Sequence, residues 1–347
     1  MHDDPFVRLL EEPFSSDLLA NWNEFLNLQP QGSFFQSPDY IALFKDCSNF
    51  EPLVIVAVNS EESFTGILVG LTIVDHFYGI PFQRILVIGG PVISVSLPNP
   101  EIVLRALLLT LKSRVPAKTV FVEIRNLQHW GEHAAIFRES GFIWHDHLND
   151  ILPVHDESQV IPAIKPAKQR QIRRGIENKA VIRPAVSKSE VEDLYTLLLD
   201  LYKKKVRKPL PPLAFFTNFY ERIQLGNKGV ILIVVHKDQV IGGMVCPFSG
   251  KNTVHEWYIC SIQNRLKHLY PGVLATWAGI DYATQHKFRY FDFMGLGHPQ
   301  KPYGVRDFKT KFGGDVINFG RWQLIINKFW YMVGLFGYKI IKRFSWL

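Results

Sequence analysis

Cysteine is scarce: the chain has three, Cys47, Cys246 and Cys260, and no CxxC spacing. An odd, scattered set removes support for a disulfide framework or a cysteine zinc site and points to a reducing cytoplasm. Long apolar runs are lacking as well. No uninterrupted stretch is long enough to cross a bilayer, and the acidic opening MHDDPFVRLLEEPF does not read as a signal peptide. Three signature loops are missing: GxxxxGK[ST], GxGxxG and GxSxG. Their absence argues against ATP-driven, dinucleotide and nucleophile-elbow chemistry. No Ser-His-Asp arrangement stands out along the chain either.

What is present is a globular composition of 347 residues, 47% hydrophobic and 20% charged. That length fits two ordinary domains. The 26 Phe, 12 Tyr and 8 Trp can furnish large cores and aromatic-lined clefts. A net charge of +7 and a pI near 9.2 favour anionic partners: nucleotides, tRNA, phosphosugars or lipid head groups. Near the end, FWYMVGLFGY (residues 329–338) is flanked by Lys328, Lys339, Lys342 and Arg343. It is too short to span a membrane. It reads either as a last strand and helix packed on the core or as a segment lying on an anionic membrane surface.

Periodicity predicts the same order of elements twice. The first half opens with a helix at 17–28, followed by extended runs at 53–58, 66–74 and 84–90. A helix at 100–114 leads to a strand at 119–126, then a helix near 128–140 that stops at Gly141, and an extended segment to Val154. In the second half, strands at 230–236 and 240–248 are joined by Lys237-Asp238-Gln239, and a third covers 253–261. A helix at 271–285 begins with proline, a strand at 290–295 follows, and a short helix near 307–312 ends at Gly313-Gly314. VFVEIRN overlays YFDFMGL, and FRESGF overlays FKTKFGG, at an offset of about 170 positions, which suits a duplicated domain. The segment Val154–Pro166, rich in proline and small residues, is read as the boundary between the copies.

Three runs carry possible chemistry. In YGVRDFKTKFGGD (Tyr303–Asp315), a short helix with Lys309 and Lys311 follows the glycine-rich loop Gly295–Gly304. A lysine beside the end of a central strand can stabilise an oxyanion or a phosphate; a solvated lysine pair on a surface helix is the competing reading. The junction Gln263–Gly272 precedes a helix N-terminus, where free N–H groups favour anions, and Arg265, Lys267 and His268 add charge. In Lys165–Lys179, Arg170, Arg173 and Arg174 share one helical face. With Lys203–Lys208 they make two basic patches, read as nucleic-acid-backbone contacts or as solvated faces. His145-Asp146-His147 lacks further ligands at metal spacing, so no metal site is predicted.

Taken in order, FFQSPDY (34–40), VEIRN (122–126), GFIWHDHLNDILPV (141–154), KQRQIRRGIENKAVIRP (168–184), FRYFDFMGLG (288–297) and YGVRDFKTKFGG resemble the FemAB-like family of aminoacyltransferases. That family lies within the GNAT-fold acyltransferases, and the likeness covers nearly the whole chain. It implies an α/β (α+β) architecture: two tandem GNAT-like mixed-sheet domains with flanking helices. The first would cover 1–154 and be completed by the tail 321–347, and the second would cover 155–320. The resemblance also implies amino-acid transfer from aminoacyl-tRNA to an amine of a cell-wall peptidoglycan precursor.

By the same resemblance, Phe308 and Lys309 match the family's Phe-Lys pair, with the lysine at the transfer site. Arg207 falls where a substrate phosphate or carboxylate is held, Tyr258 where a tyrosine lines the substrate, and Lys45 where a lysine binds the precursor. Glu256 and Tyr303 complete the substrate-binding set. Of the GNAT pyrophosphate run Q/R-x-x-G-x-G/A only Gly272 and Ala275 remain, so Arg265, Lys267 and Gly272 form a degenerate donor-phosphate set. The coiled-coil arm of several members is missing, and KPLPPLAFFTNF (208–219) runs straight on. That is similar to armless members, whose acceptor is a soluble nucleotide precursor or a cell-surface sugar.

Aminolysis needs a neutral amine at attack distance, a proton acceptor and oxyanion stabilisation. Lys309 is assigned the developing charge. Asp292, Glu256 and Asp307 are the carboxylate candidates for the proton, and Asp292, if buried between aromatics, would have a perturbed pKa. Three readings stand: an aminoacyl-tRNA-dependent transferase, an acyl-CoA-dependent N-acyltransferase, and a non-catalytic phosphoglycan-binding protein. No tightly bound cofactor and no DNA partner are predicted. The predicted location is the cytoplasm, with peripheral contact to the inner membrane face through the tail.

Overall fold

The computed structural model describes residues 6–77, 80–206, 209–262 and 266–334. The chain divides into two compact units. One takes Met1–Phe44, Ser48–His145 and the chain from Phe319 onward; the other takes Lys45–Cys47 and Asp146–Asn318.

Unit 1 contains β1 (Phe6–Leu10), β2 (Phe50–Val58), β3 (Phe64–Phe77), β4 (Ile80–Ile88), β5 (Val92–Ile93), β6 (Thr119–Arg125) and β7 (Ile143–His145). Unit 2 contains β8 (Leu148–Pro153), β9 (Val181–Pro184), β10 (Gly229–His236), β11 (Gln239–Ser249), β12 (Thr253–His255), β13 (Tyr258–Ser261), β14 (Tyr290–Gly297) and β15 (Asp315–Asn318). The last described strand, β16 (Arg321–Ile325), returns to unit 1.

The two sheets have the same topology. One runs β1-β2-β3-β4-β6-β16-β7 and the other β9-β10-β11-β12-β14-β8-β15, with β5 and β13 added beside β3 and β11. Each has one parallel pair, β4 with β6 and β12 with β14. The strand next to that pair is exchanged: β8 pairs antiparallel with β14, and β16 pairs with β6. The strand ending near Val154, grouped with the first half by sequence order, therefore lies in the second sheet. Asp146 and Asn318 tie the two crossing points within unit 2, with Asn318 Nδ2 donating to Asp146 Oδ1 (2.9 Å). The segment read as a boundary is no linker: Glu157–Ala163 forms a helix whose Val160 is buried, followed by buried Ile164 in the unit 2 core. The apolar residues in that stretch are what pull it inward.

Each sheet packs the helix of its parallel crossover against one face. α1 (Ser16–Leu28) starts at Ser15, whose side chain accepts from Leu18 N–H, a cap worth about 1 kcal/mol. α2 (Pro38–Ala42) is a short turn, and α3 (Pro100–Arg114) lies in the crossover between the parallel strands. On α3, Val103, Leu104, Leu107, Leu108 and Leu111 form one stripe, all buried in the sheet's core. Burying each such side chain stabilises by roughly 1.5–3 kcal/mol. α4 (Ala134–Glu139) ends at Gly141, whose φ of +92° suits glycine.

Unit 2 adds α5 (Glu157–Ala163), α6 (Pro166–Glu177), α7 (Lys188–Leu201), α8 (Leu213–Asn218), α9 (Pro271–Gln285) and α10 (Gly304–Lys309). α9 is apolar on most sides and takes the place that α3 has in unit 1, between parallel strands. The β10–β11 hairpin turns at Lys237 and Asp238, both at positive φ (49° and 59°), the conformation of a type I′ turn.

The FFQS run is explained by structure. Gln36 is wholly buried and serves the backbone around it: Val69 N–H donates to its Oε1 (2.8 Å), and its Nε2 donates to Ile88 O (2.8 Å). Its own carbonyl accepts from the Trp22 indole (2.8 Å). A buried amide with every group satisfied fixes one packing of β3 and β4. All three cysteines are buried, and burial pushes the Cys47 thiol up to about 11. A thiol-exchange reagent should therefore label the native protein slowly and the unfolded protein quickly at all three positions.

Candidate active site

In unit 2 the segment read as one strand, Thr253–Ser261, is two. β12 runs parallel to β14 with His255 opposite Asp292, and Glu256 N–H still donates to Asp292 O (2.9 Å). From Trp257, whose N–H donates to Val245 O (3.1 Å), the chain follows β11 instead. β14 thus loses its neighbour beyond Asp292, and the sheet opens there. β14 also bulges at that point: Met294 sits at φ +57°, and its N–H donates to Asp292 Oδ1 (2.7 Å).

Lys309 reaches into this opening from the end of α10. Its Nζ donates to Phe293 O (2.6 Å) and lies 2.7 Å from Glu256 Oε1. Both side chains are buried, Lys309 at 9% and Glu256 at 1% exposure. The reading of Lys309 and Lys311 as a solvated pair fails for Lys309, while Lys311 is exposed. Burial pushes the Glu256 carboxyl up and Asp292 adds to this, while Lys309 pulls the other way.

Asp150, on β8, is fully buried beside the same group, and neither of its oxygens has a hydrogen-bond donor among the described residues. Burial raises it to about 7, with Asp292, Asp315 and Glu256 adding to the rise and Lys309 opposing it. Gly314 explains the glycine pair after α10. At φ +102°, a Cβ there would fall 2.1 Å from Asp150 Oδ1. Because the folded state holds the Asp150 proton more tightly than the unfolded chain does, stability is lost as pH rises between 3.8 and about 7. Asp150→Asn should flatten that slope, so wild type should weaken relative to the variant over this window in denaturant unfolding at a series of pH values.

One finding corrects the sequence reading. Ser249, His255 and Asp292 do form a line: Ser249 Oγ is 2.8 Å from His255 Nε2, and His255 Nδ1 is 3.2 Å from Asp292 Oδ2. The three come from β11, β12 and β14, so only the strand register brings them together. All three are buried, and the array holds Asp292 in place at the bulge. Lys168, at the start of α6, was likewise not singled out. Its Nζ lies 4.3 Å from the Phe308 ring centre and 5.7 Å from that of Phe312, and it donates to Gln171 Oε1 (3.1 Å). Burial, then Lys311, pulls its ammonium down to about 8.

Unit 1 supplies an internal control. At the register positions of Asp292 and His255 it carries Val122 and Ile85, themselves paired across the parallel strands. Leu86 stands where Glu256 does, and in the overlay of FRESGF on FKTKFGG the exposed Arg138, whose guanidinium lies 5.5 Å from the Trp322 ring centre, stands where Lys309 does. Buried ionisable groups cost stability, so a set of them at one of two equivalent places makes unit 2 the place of the candidate site.

The other predicted residues fall as follows. Tyr258 is half-buried in an aromatic cluster with Trp257, Phe215, Phe216 and Tyr202. Tyr303 is exposed and close over Gly297, at the head of α10. Arg306, in the same helix, donates to His298 O (3.0 Å), Pro299 O (3.2 Å) and Lys301 O, and so shapes the loop before it. Lys267 is exposed and Gly272 opens α9 beside Ser261. Lys45 is exposed in the short segment that belongs to unit 2, and Asp307 is exposed on α10. Arg207 and Arg265 lie outside the described residues.

Residues 167–310, which hold α6 through α10, match the family model described as an acetyltransferase (GNAT) domain. The chain is a tandem of two GNAT folds. A match to that domain supports acyltransferase activity. Among solved structures, FemX aligns over 94% of this chain and 99% of its own, at TM-score 0.69 and 13% identity. A tandem GNAT protein from the clavulanic acid biosynthesis pathway aligns over 93% and 99%, at 0.55 and 11%. L-PGS from Bacillus licheniformis aligns over 84% and 93%, at 0.56 and 10%. At such identities the likeness is one of fold. No curated protein sequence matches the chain.

Proposed function

We propose that this tandem GNAT chain is an aminoacyltransferase that moves an amino acid from aminoacyl-tRNA to an amine of a cell-wall peptidoglycan precursor. The observation that carries this reading is the buried Lys309–Glu256 pair where β14 parts from its neighbour, in one unit of the two. In the reaction the acceptor nitrogen bonds to the acyl carbon, the ester C–O bond breaks, and the amine's proton ends on the leaving oxygen. Lys309 is the donor to the developing oxyanion, a term worth about 10²–10³ in rate for a single such group. Phe308 keeps the lysine's helix seated against Lys168, and Asp292 holds the strand bulge that presents Phe293 O.

In this proposal Lys45, Arg207, Tyr258, Glu256 and Tyr303 meet the acceptor, and Arg265, Lys267 and Gly272 meet donor phosphate. The exposed face of Arg170, Arg173 and Arg174 on α6 suits a tRNA backbone. The work would take place in the cytoplasm at the inner membrane face. There Phe329 and Met332, 68% and 63% exposed beside Lys328, would rest on anionic lipid.

A second reading, N-acylation of a cell-surface sugar or other small amine from acyl-CoA, is favoured by the GNAT domain match and by Gly272 opening α9 next to Ser261. The test is transfer of labelled amino acid from charged tRNA, with and without RNase, beside acetyl-CoA and the same amine acceptors. Product lost with RNase supports the first reading, and product seen only with the thioester selects the second. Ligand binding without product from either donor would leave a phosphoglycan-binding protein.

A further inference from the structure

One peptide group holds Lys309 in place. The Phe293–Met294 peptide is planar and rigid, so its carbonyl and its N–H point in opposite directions. The carbonyl accepts from Lys309 Nζ at 2.6 Å, and the N–H donates to Asp292 Oδ1 at 2.7 Å. Met294 takes φ +57° to make this turn, a conformation that a residue with a side chain keeps only where its surroundings impose it. An N–H bonded to a carboxylate polarises its peptide, which strengthens the carbonyl as an acceptor for an ammonium. Asp292 also acts through its own backbone. Its carbonyl accepts from Glu256 N–H at 2.9 Å, and Glu256 Oε1 lies 2.7 Å from the same Nζ. Both groups that hold Lys309 are therefore bonded to Asp292.

His255 holds the other oxygen of that carboxylate. Oδ1 takes the Met294 hydrogen and Oδ2, at 3.2 Å, takes the hydrogen on His255 Nδ1. With its hydrogen on Nδ1, the ring accepts the Ser249 hydroxyl on Nε2, at 2.8 Å. Ser249, His255, Asp292 and Lys309 are all buried, and each link from the serine to the lysine is at hydrogen-bonding distance.

We propose that His255 is a positioning residue for Lys309, acting through Asp292 and the Phe293–Met294 peptide. Unit 1 lacks the device. Ile85 and Val122 stand at the places of His255 and Asp292, and β6 pairs with β16 in unbroken register where β14 shifts against β8. The effect on turnover rests on the transferase reading; the hold on Lys309 does not.

The test uses the full chain with ¹⁵N-labelled lysine, comparing His255→Leu with His255→Asn. Leucine removes both ring bonds, whereas the asparagine amide nitrogen can take the place of Nδ1 and donate to Asp292 Oδ2. The Lys309 ammonium resonance, identified by its absence from Lys309→Met, should shift in His255→Leu and move back towards its wild-type position in His255→Asn. In the transfer assay His255→Leu should lower kcat by about 10²-fold with KM unchanged, the cost of misplacing a catalytic group by roughly 1 Å, and His255→Asn should recover most of the loss. Added to Lys309→Met, His255→Leu should cost no more than about twofold, because no lysine is left to position. A merely structural histidine would lower the rate by the same factor in both backgrounds. The proposal is overturned if the Lys309 resonance stays in place in His255→Leu, or if the two losses multiply. Should His255→Leu not fold, Ser249→Ala reads the same path: loss of the hydroxyl on Nε2 should move the Lys309 resonance, and no movement overturns the proposal. Wild type that turns over neither donor sinks the transferase reading instead, and the Lys309 resonance then decides whether His255 holds the lysine.

Discussion

Lys309→Met should lower turnover by about 10²–10³-fold, the loss produced by removing one preorganised donor to an oxyanion. The lysine is placed for this by three constraints. α10 ends on it, the Phe293 carbonyl fixes its reach, and Glu256 holds its charge where β14 has parted from β12. Methionine keeps the length of the stem and the packing while removing the ammonium. Breaking a buried pair by deleting one partner costs about 3–5 kcal/mol. The cost here should fall below that range, because burial already favours the neutral form of Glu256. Adding Glu256→Gln to Lys309→Met should recover stability and leave turnover lost. If the double variant regained turnover, the lysine would be a structural counter-ion and nothing more. Circular dichroism and initial rates on the same preparations separate the two effects.

Trp322→Ala should destabilise unit 1 by about 3–5 kcal/mol, the usual cost of emptying a buried tryptophan site. Trp322 is fully buried on β16. It stacks on Phe137 at 5.0 Å and 5° between planes, and meets Trp144 edge-on at 4.9 Å. The guanidinium of Arg138 lies 5.5 Å from its ring centre. Strand β16 pairs on one side with β6 and on the other with β7, so this ring anchors the strand that closes the sheet after the chain returns from unit 2. Denaturant unfolding followed by far-UV circular dichroism should show the lower-stability transition moving to lower denaturant. A loss below about 1 kcal/mol would mean that β16 adds little to unit 1.

Elements with local causes could be read along the chain. The helix at Pro100–Arg114 carries its apolar stripe in its own sequence, and the helix at Pro271–Gln285 opens on proline. The Gly313-Gly314 stop was visible too, since only glycine tolerates φ near +92° and +102° there. Lys309 could be picked out from its motif, but its burial could not, because that depends on where β14 loses a partner. Exchange of β8 and β16 was half visible: the tail was read as returning to the first unit, whereas the strand before Val154 was kept with its sequence neighbours. Short antiparallel strands carry no mark of which sheet they join when both sheets have the same topology.

The buried polar groups were the least readable. Ser249, His255 and Asp292 lie on three strands, and nothing in their spacing announces the line they form. Asp150 sat inside a recognised run, HLNDILPV, as one polar residue among several. Its place became meaningful only once β8 was seen between β14 and β15. A signal was nevertheless available. In the overlay of the two halves, Asp292 faces Val122, and an ionisable residue against an apolar one at equivalent strand positions flags the copy that carries chemistry.

The most direct measurement is an experimental structure of the full chain with a non-transferable donor analogue, either an amide-linked aminoacyl-adenosine or an acyl-CoA thioether. The account predicts the acyl oxygen within about 3 Å of Lys309 Nζ, hydrogen-bonding distance, in the opening beyond Asp292 on β14. An analogue seated against unit 1, or in unit 2 with its acyl oxygen turned away from Lys309, would contradict it.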